Sequence, residues 1–224
     1  MNRVIRSLFV FLVIAQGMIC GASAATPLNL VRLLPDPARP RLYAINGNGQ
    51  EQGSLQVIDT QTHTVLSTIP LGKKPTDCDI GDDGKTLFAI NSVDQSITEI
   101  NLETLAVAKT YVLPAYNNWG VAETHAHVRA GKGNILYYLD GQWGPRLRVY
   151  NRATGQVLQT FGAKTTGTDN DDGIGGLVLA PDGSAIYTWK QYGWSAGVLG
   201  TYLSKFKVNA DGTLAFVAKT ADAR

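Results

Sequence analysis

The stretch Leu42-Tyr43-Ala44-Ile45-Asn46 recurs three more times along the chain, as Leu87–Asn91, Leu136–Asp140 and Ile186–Lys190. The four copies begin 45, 49 and 50 residues apart. Each copy is apolar and rich in aromatic or β-branched residues, which is typical of buried strands. The sequence is therefore a repeat whose period is 45 to 50 residues.

Each repeat contains four strand-like segments separated by polar turns. Asp82-Asp83-Gly84 and Pro181-Asp182-Gly183 are two of these turns, and Asp and Gly supply the backbone conformations that tight reversals need. The chain after the first 24 residues has no sustained helical period. A repeat of this length with four antiparallel strands predicts an all-β fold, the β-propeller, with four recognisable blades. The predicted blades cover about residues 28–70, 76–113, 124–161 and 176–218.

The first two repeats carry a family resemblance. Leu42–Asn46, Val57-Ile58-Asp59-Thr60, Gly72, Pro75 and Asp83-Gly84 together resemble the YVTN-type β-propeller repeat. That resemblance implies a secreted, periplasmic or surface-layer propeller, usually of seven blades. Four blades leave two explanations open: part of a longer seven-bladed propeller, which we favour, or four blades that close or pair with another chain.

The first 24 residues have the pattern of a secretory signal. Arg3 and Arg6 precede the apolar run Leu8–Ala15, which is too short to span a bilayer. Ala22-Ser23-Ala24 then matches the small-residue pattern of a signal-peptidase site. We therefore expect residues 1–24 to be removed, leaving residues 25–224 as a propeller domain in the periplasm or outside the cell; an uncleaved anchor is the alternative.

Composition limits the partners. The 224 residues are 44% hydrophobic and 17% charged, which excludes a disordered chain. Without the two leader arginines, the 20 basic residues become 18 and balance the 18 acidic ones. A net charge near zero argues against nucleic acid or anionic lipid as a partner, and we expect no stable membrane insertion after cleavage. Cys20 lies in the leader and Cys78 is the remaining cysteine, so an intramolecular disulfide is excluded.

Two inner strands carry groups that can bind a metal. Asp77-Cys78-Asp79-Ile80 aligns with His125-Ala126-His127-Val128. Alternation along a strand puts Asp77 and Asp79 on one face and Cys78 on the other, and likewise pairs His125 with His127. We expect the carboxylates and imidazoles to face the central channel, a set that suits a divalent transition metal. A hydrated channel with Asp–His hydrogen bonds is the alternative, and Cys78 is interpreted as a buried structural thiol rather than a nucleophile.

The loops between the second and third strands, and those between blades, share one face of a propeller. Three of the four Trp residues of the chain fall in these loops, next to Asn, Gln and Asp. Aromatic planes beside polar groups can stack on a ligand and hydrogen-bond it, although packing among the loops is the alternative. The opposite face, with its short Asp-Gly turns, is expected to offer a ligand little. The predicted ligand-binding residues are Tyr116, Trp119, Trp143, Asp169, Asp171, Tyr192 and Trp194.

The sequence thus predicts a binding or interaction module. Motifs for a nucleophilic Ser, a phosphate loop, a dinucleotide or a helical zinc site are missing from the chain. No cofactor is firmly implied, and a divalent metal in the channel is the one candidate. The expected partner is a small molecule, a glycan or an envelope protein. The alternatives are an enzyme on the same scaffold, either lactonase-like or a subunit of a periplasmic dehydrogenase, and a nonfunctional truncated copy.

Overall fold

The structure is a computed structural model, and it describes residues 29–48, 51–114, 126–140, 146–162, 174–191 and 201–220. These ranges contain 16 strands and no helix. The strands form four antiparallel sheets of four strands each, which confirms the predicted all-β architecture with four blades. Within the same ranges there is no helix of the length and hydropathy needed to cross a membrane.

In every sheet the strands are hydrogen-bonded in chain order. Blade 1 comprises β1 (Leu30–Pro35), β2 (Arg41–Asn48), β3 (Glu51–Asp59) and β4 (Val65–Lys73). Blade 2 comprises β5 (Pro75–Ile80), β6 (Thr86–Asn91), β7 (Ser96–Asn101) and β8 (Ala106–Val112). Blade 3 comprises β9 (Val128–Ala130), β10 (Ile135–Asp140), β11 (Arg146–Asn151) and β12 (Gln156–Phe161). Blade 4 comprises β13 (Ile174–Leu179), β14 (Ala185–Gln191), β15 (Thr201–Val208) and β16 (Leu214–Lys219).

The inner strands β1, β5, β9 and β13 follow one another around the axis, each contacting the next. Three of them contain a bulge at the same level. One extra residue is inserted opposite the second strand, between Leu30 and Arg32, between Pro75 and Asp77, and between Ile174 and Gly176. The inserted residues are Val31, Thr76 and Gly175. Each bulge lies at the start of its strand, and in β5 and β13 it is next to the connection from the preceding blade.

The core consists of three apolar clusters, and each one lies between two successive blades. The first joins blades 1 and 2, and among its members are Tyr43, Ile45, Leu55, Val57, Cys78, Leu87 and Ile100. The second joins blades 2 and 3 and includes Phe88, Ile90, Ile97, Val128, Leu136, Tyr138 and Tyr150. The third joins blades 3 and 4 and includes Tyr137, Leu139, Leu147, Val149, Leu177, Ile186 and Phe206. None of these clusters joins blade 4 to blade 1, so the described blades form an open arc.

The antiparallel order gives the arc two different faces. The connections from first to second strand and from third to fourth strand lie on one face, which we call the turn face. The connections from second to third strand and from each blade to the next leave from the opposite face, which we call the loop face.

The hairpin between the third and fourth strands has the same construction in three blades. Its first residue accepts two backbone N–H groups through a side-chain oxygen, at Asp59, Asn101 and Asn151. Its fifth residue has positive φ: 58° at His63, 54° at Leu105 and 73° at Gly155. A residue with a side chain is strained in this conformation, whereas Gly is not.

The exposed His63 gives a direct test of this strain. We expect His63→Gly to raise the free energy of unfolding by about 1 kcal/mol, because the backbone there is left-handed and the side chain contributes no buried surface. Gly155→His in the equivalent turn should lower it by a similar amount. Urea unfolding of both variants at pH 7 measures the effect, and stability changes of the opposite sign would contradict the assigned turn geometry.

Candidate functional site

The axis is lined by side chains that occur at equivalent levels of the four inner strands. At the first level each residue is paired with the same position of the second strand. These residues are Arg32, Asp77, His127 and Gly176, opposite Ile45, Ile90, Leu139 and Trp189. At the next level, toward the turn face, are Leu34, Asp79, Arg129 and Val178. The polar groups of three blades therefore meet at one place on the axis.

Asp77 is the centre of this group. Its carboxylate accepts a hydrogen bond from Nη1 of Arg129 at 2.6 Å, and Nδ1 of His127 lies 3.1 Å from the same oxygen. Nε of Arg32 lies 3.1 Å from the other oxygen, within ion-pair distance although without hydrogen-bond geometry. The Asp77 side chain is only 3% exposed. One buried carboxylate thus holds together side chains from three successive blades.

The environment of Asp77 favours its ionised form. Burial opposes ionisation, but the hydrogen bond from His127 and the charge of Arg129 outweigh it, so the pKa of Asp77 lies below its usual value. Asp79, two residues further on, has the opposite balance. Burial raises its pKa, and the N–H of Ala130, which donates to Asp79 at 2.9 Å, offsets this only in part. The fold therefore favours the ionised form of Asp77 and disfavours the ionised form of Asp79, although the two carboxylates lie on the same strand.

Cys78 lies on the other face of the same strand. It is fully buried in the cluster between blades 1 and 2. Burial, followed by the charge of Asp77, raises the pKa of the thiol well above its usual range. A thiol that stays protonated and has no path to solvent cannot act as a nucleophile, so its role is to fill the core.

The predicted metal site is only partly described. Asp77, Asp79 and His127 lie at the axis, whereas His125 lies outside the described residues. The strand register places His127 level with Asp77, and Arg129 level with Asp79, so the alignment between blades 2 and 3 differs by two residues from the predicted one. Among the described residues no three His, Cys, Asp or Glu side chains come together as a metal site. The metal therefore stays a prediction, and it would have to compete with Arg32 and Arg129 for Asp77.

Sequence reasoning missed both arginines of this group. A signal was available, because Arg129 follows His127 by two residues and Arg32 precedes Leu34 by two. The alternation that put the carboxylates on the axis also puts these guanidinium groups there. Applied to all four inner strands, it would have predicted ion pairs with arginine in addition to the expected carboxylates and imidazoles.

Blade 4 contributes no charge at the first level. Its residue there is Gly176, and the indole of Trp189 lies directly over it: a Cβ atom on Gly176 would lie 1.8 Å from Cζ2 of Trp189. Any side chain at this position would displace the ring. Because Gly176 has no side chain, the indole of Trp189 can cover the end of blade 4 that lies at the axis.

The predicted ligand-binding residues lie outside the described residues: Tyr116, Trp119, Trp143, Asp169, Asp171, Tyr192 and Trp194. The described strands on either side of them show from which face of the arc the connecting segments leave. The segments 115–125, 141–145, 163–173 and 192–200 each connect a second strand to a third, or one blade to the next. All the flanking strand ends therefore lie on the loop face.

The sequence predicts that the turn face offers a ligand little, whereas the structure has a polar cleft on that face. A cleft of about 350 Å³ lies there between the turns of blades 2, 3 and 4. Its lining includes Asp79, Arg129, Lys132, Tyr137 and Asp182. The cleft brings charges of both signs next to the axis, so the turn face has a polar recess of its own.

Comparisons with known proteins support the fold and go no further. No family model matches the sequence, and no curated protein matches it either. The solved structures that resemble it include hydrazine synthase of Kuenenia stuttgartiensis, with a TM-score of 0.50 and 16% identity over 90% of this chain and 69% of that chain. They also include the WD40 domain of Toxoplasma gondii coronin, with a TM-score of 0.62 and 9% identity over 85% of this chain and 45% of that chain. The chain has a β-propeller fold, spanning part of the length of these proteins.

The contrast between the two axial carboxylates can be tested. We expect Asp77→Asn to lower the free energy of unfolding at pH 7 by about 3 kcal/mol, because it leaves Arg32 and Arg129 without their buried partner. We expect Asp79→Asn to raise stability slightly, because it removes a charge that burial disfavours while leaving an oxygen to accept the Ala130 N–H.

The pH dependence of the two effects has opposite sign. The pKa of Asp77 is lowered by folding, so its contribution is present above about pH 4 and is lost as pH falls through the folded-state pKa. The pKa of Asp79 is raised by folding, so the cost of its charge develops as pH rises from the unfolded-state pKa of about 4 to the folded-state pKa and is constant above that. Urea unfolding of the wild type and both variants at several values from about pH 3 to about pH 7 measures these trends. Equal losses in both variants at pH 7 would contradict the assignment.

Proposed function

We propose that this protein is a secreted or periplasmic β-propeller of the YVTN type that acts as a binding module through its loop face. The observation that supports the proposal most strongly is the direction of the strands. The described strands that flank the Trp- and Asp-rich segments all end on the loop face. Loops carry binding groups most effectively when a rigid scaffold holds their ends, and the three interblade cores provide that rigidity.

The chemistry of the segments indicates the class of ligand. Trp119, Trp143 and Trp194 offer planar surfaces, and Asp169 and Asp171 offer acceptors beside them. Stacking with a few directed hydrogen bonds suits a glycan, a small molecule with hydroxyl or amide groups, or a loop of an envelope protein. Since basic and acidic residues balance after the leader, affinity should depend only weakly on salt.

An enzyme on the same scaffold is the second candidate, and the contact between Asp77 and His127 is the observation that favours it. A carboxylate that orients an imidazole is a common arrangement in general-base catalysis. Here, however, Arg32 and Arg129 neutralise the carboxylate. We therefore propose that this group serves first to join the blades, and that binding is the function of the protein.

The binding face can be tested by substitution. Glycans, peptidoglycan fragments and purified envelope proteins are screened by calorimetry, and the variants are then compared on the ligand found. We expect Trp143→Ala and Trp194→Ala each to weaken binding by about 2 kcal/mol, as loss of an aromatic anchor commonly does. Lys132→Ala, which changes the cleft of the turn face, is the matched control and should bind normally. Loss of binding in the Lys132 variant with both Trp variants unaffected would move the site to the turn face.

The location has its own test. Expressed with its natural N-terminus in a Gram-negative host, the protein should be recovered from the periplasm or medium with Ala25 as its first residue. N-terminal sequencing identifies the cleavage site. Recovery of the full-length chain in the membrane fraction would instead show that residues 1–24 act as an anchor.

A further inference from the structure

The last blade exposes a surface that is buried in every other blade. We call the side of a blade that packs on the following blade its trailing face. One position of the third strand lies at the centre of this face in each blade. It is fully buried in blades 1, 2 and 3, at Leu55, Ile97 and Leu147, and 42% exposed in blade 4, at Leu203.

The neighbouring positions repeat this contrast. Tyr43, Phe88 and Tyr137 are buried in the three interblade clusters, while the equivalent Tyr187 is half-buried. Val178 is 44% exposed beside it. Together with the indole of Trp189, these side chains make the part of the trailing face of blade 4 nearest the axis apolar, with Lys205 further out.

The first blade exposes the complementary surface. We call the side of a blade that packs on the preceding blade its leading face. The central residue of the inner strand on this face is fully buried in blades 2, 3 and 4, at Cys78, Val128 and Leu177. The equivalent residue of blade 1 is Leu33, which is 49% exposed. The exposed Val31 and the half-buried Leu42 extend the leading face on either side of it.

These two surfaces are the two halves of one kind of interface. Within the chain, a trailing face meets a leading face three times, and each time it builds an apolar cluster. Among the four described blades, one trailing face and one leading face are left uncovered. They do not cover each other within the same molecule, because Leu33 and Leu203 are both exposed.

Of the two explanations for four blades, the exposed faces point to pairing with another chain: we propose that the trailing face of blade 4 docks on the leading face of blade 1 of a second copy of this chain. The contact continues the established blade-to-blade packing across the boundary between molecules. It is a heterologous, head-to-tail contact, which forms a closed ring when the rotation closes. Two copies joined by two such contacts make a ring of eight blades, within the range that propellers adopt.

One polar contact of the existing interfaces is not conserved at the proposed one. Between blades 2 and 3, Glu99 on the trailing face accepts a hydrogen bond from Nη1 of Arg152 at 3.0 Å. The position of Glu99 is occupied in blade 4 by Lys205, and that of Arg152 in blade 1 by Thr60. The proposed contact therefore lacks a Glu–Arg pair, and Lys205 and Thr60 occupy its two positions.

The test uses two variants of the full chain, each with one blocked end. Leu33→Asp blocks the leading face of blade 1, and Leu203→Asp blocks the trailing face of blade 4. Both residues are exposed in the single chain, so neither change should impair folding, and thermal unfolding of dilute samples checks this. Sedimentation velocity over a range of concentrations then measures association.

The proposal makes a specific prediction for these samples. The wild type should form dimers, and each variant alone should associate at least about 30-fold more weakly, as expected when an interface anchor is lost. A mixture of the two variants should form one-to-one pairs, because one intact trailing face and one intact leading face remain. If instead the two copies associated through the same surface of each molecule, mixing the two variants would not restore association.

A second comparison tests the charge pair. Lys205→Glu combined with Thr60→Arg should strengthen association relative to Lys205→Glu alone, because the double variant reproduces the Glu99–Arg152 pair. A wild type that stays monomeric at every concentration would overturn the proposal and assign the uncovered faces to blades of another polypeptide. Dimers that persist unchanged in both single variants would also overturn it, since the interface would then lie elsewhere.

Discussion

A four-stranded sheet with apolar side chains on both faces cannot bury either face by itself. Every blade of this protein is such a sheet, so each must be covered by the blades on either side. Leu55, Ile97 and Leu147 are fully buried for this reason, although none of them is covered by its own sheet. The stability of the arc therefore resides in the contacts between blades, and the individual blade is not an independent folding unit.

The polar side chains of the interior follow the same rule, because they pair between blades as well as within them. Asp77 of blade 2 contacts Arg32 of blade 1 and Arg129 of blade 3. The hydroxyl of Thr76 donates to the carbonyl of Ala126 at 2.8 Å, which adds a neutral contact between blades 2 and 3. Such contacts are directional, whereas apolar packing is not. They fix how far one sheet can slide on the next, and the apolar clusters supply most of the free energy.

The sequence was sufficient for the fold because the repeat is itself the structural unit. Strand alternation also correctly separated Asp77 and Asp79 from the buried Cys78. The alignment of neighbouring blades was harder to predict, and His127 lies level with Asp77 where His125 was expected. The offset is confined to blade 3, whose inner strand β9 has only three residues and is followed by Gly131-Lys132-Gly133 in place of the Asp-Gly turn found in blades 2 and 4. The sequence there lacks the turn signal from which the alignment of the inner strand could be counted.

The same bulges have a consequence for how the loop face can vary. Deleting or adding one residue in a strand turns every following side chain to the opposite side of the sheet. At Thr76 and Gly175 the inner strands already contain one residue that is outside the pairing, directly after the connection from the preceding blade. A bulge can absorb a change of one residue, so an interblade connection of odd or even length can join the same inner strand without reversing its faces. The scaffold thereby separates the length of its loops from the packing of its core, and the loop face can diversify while the axis stays unchanged.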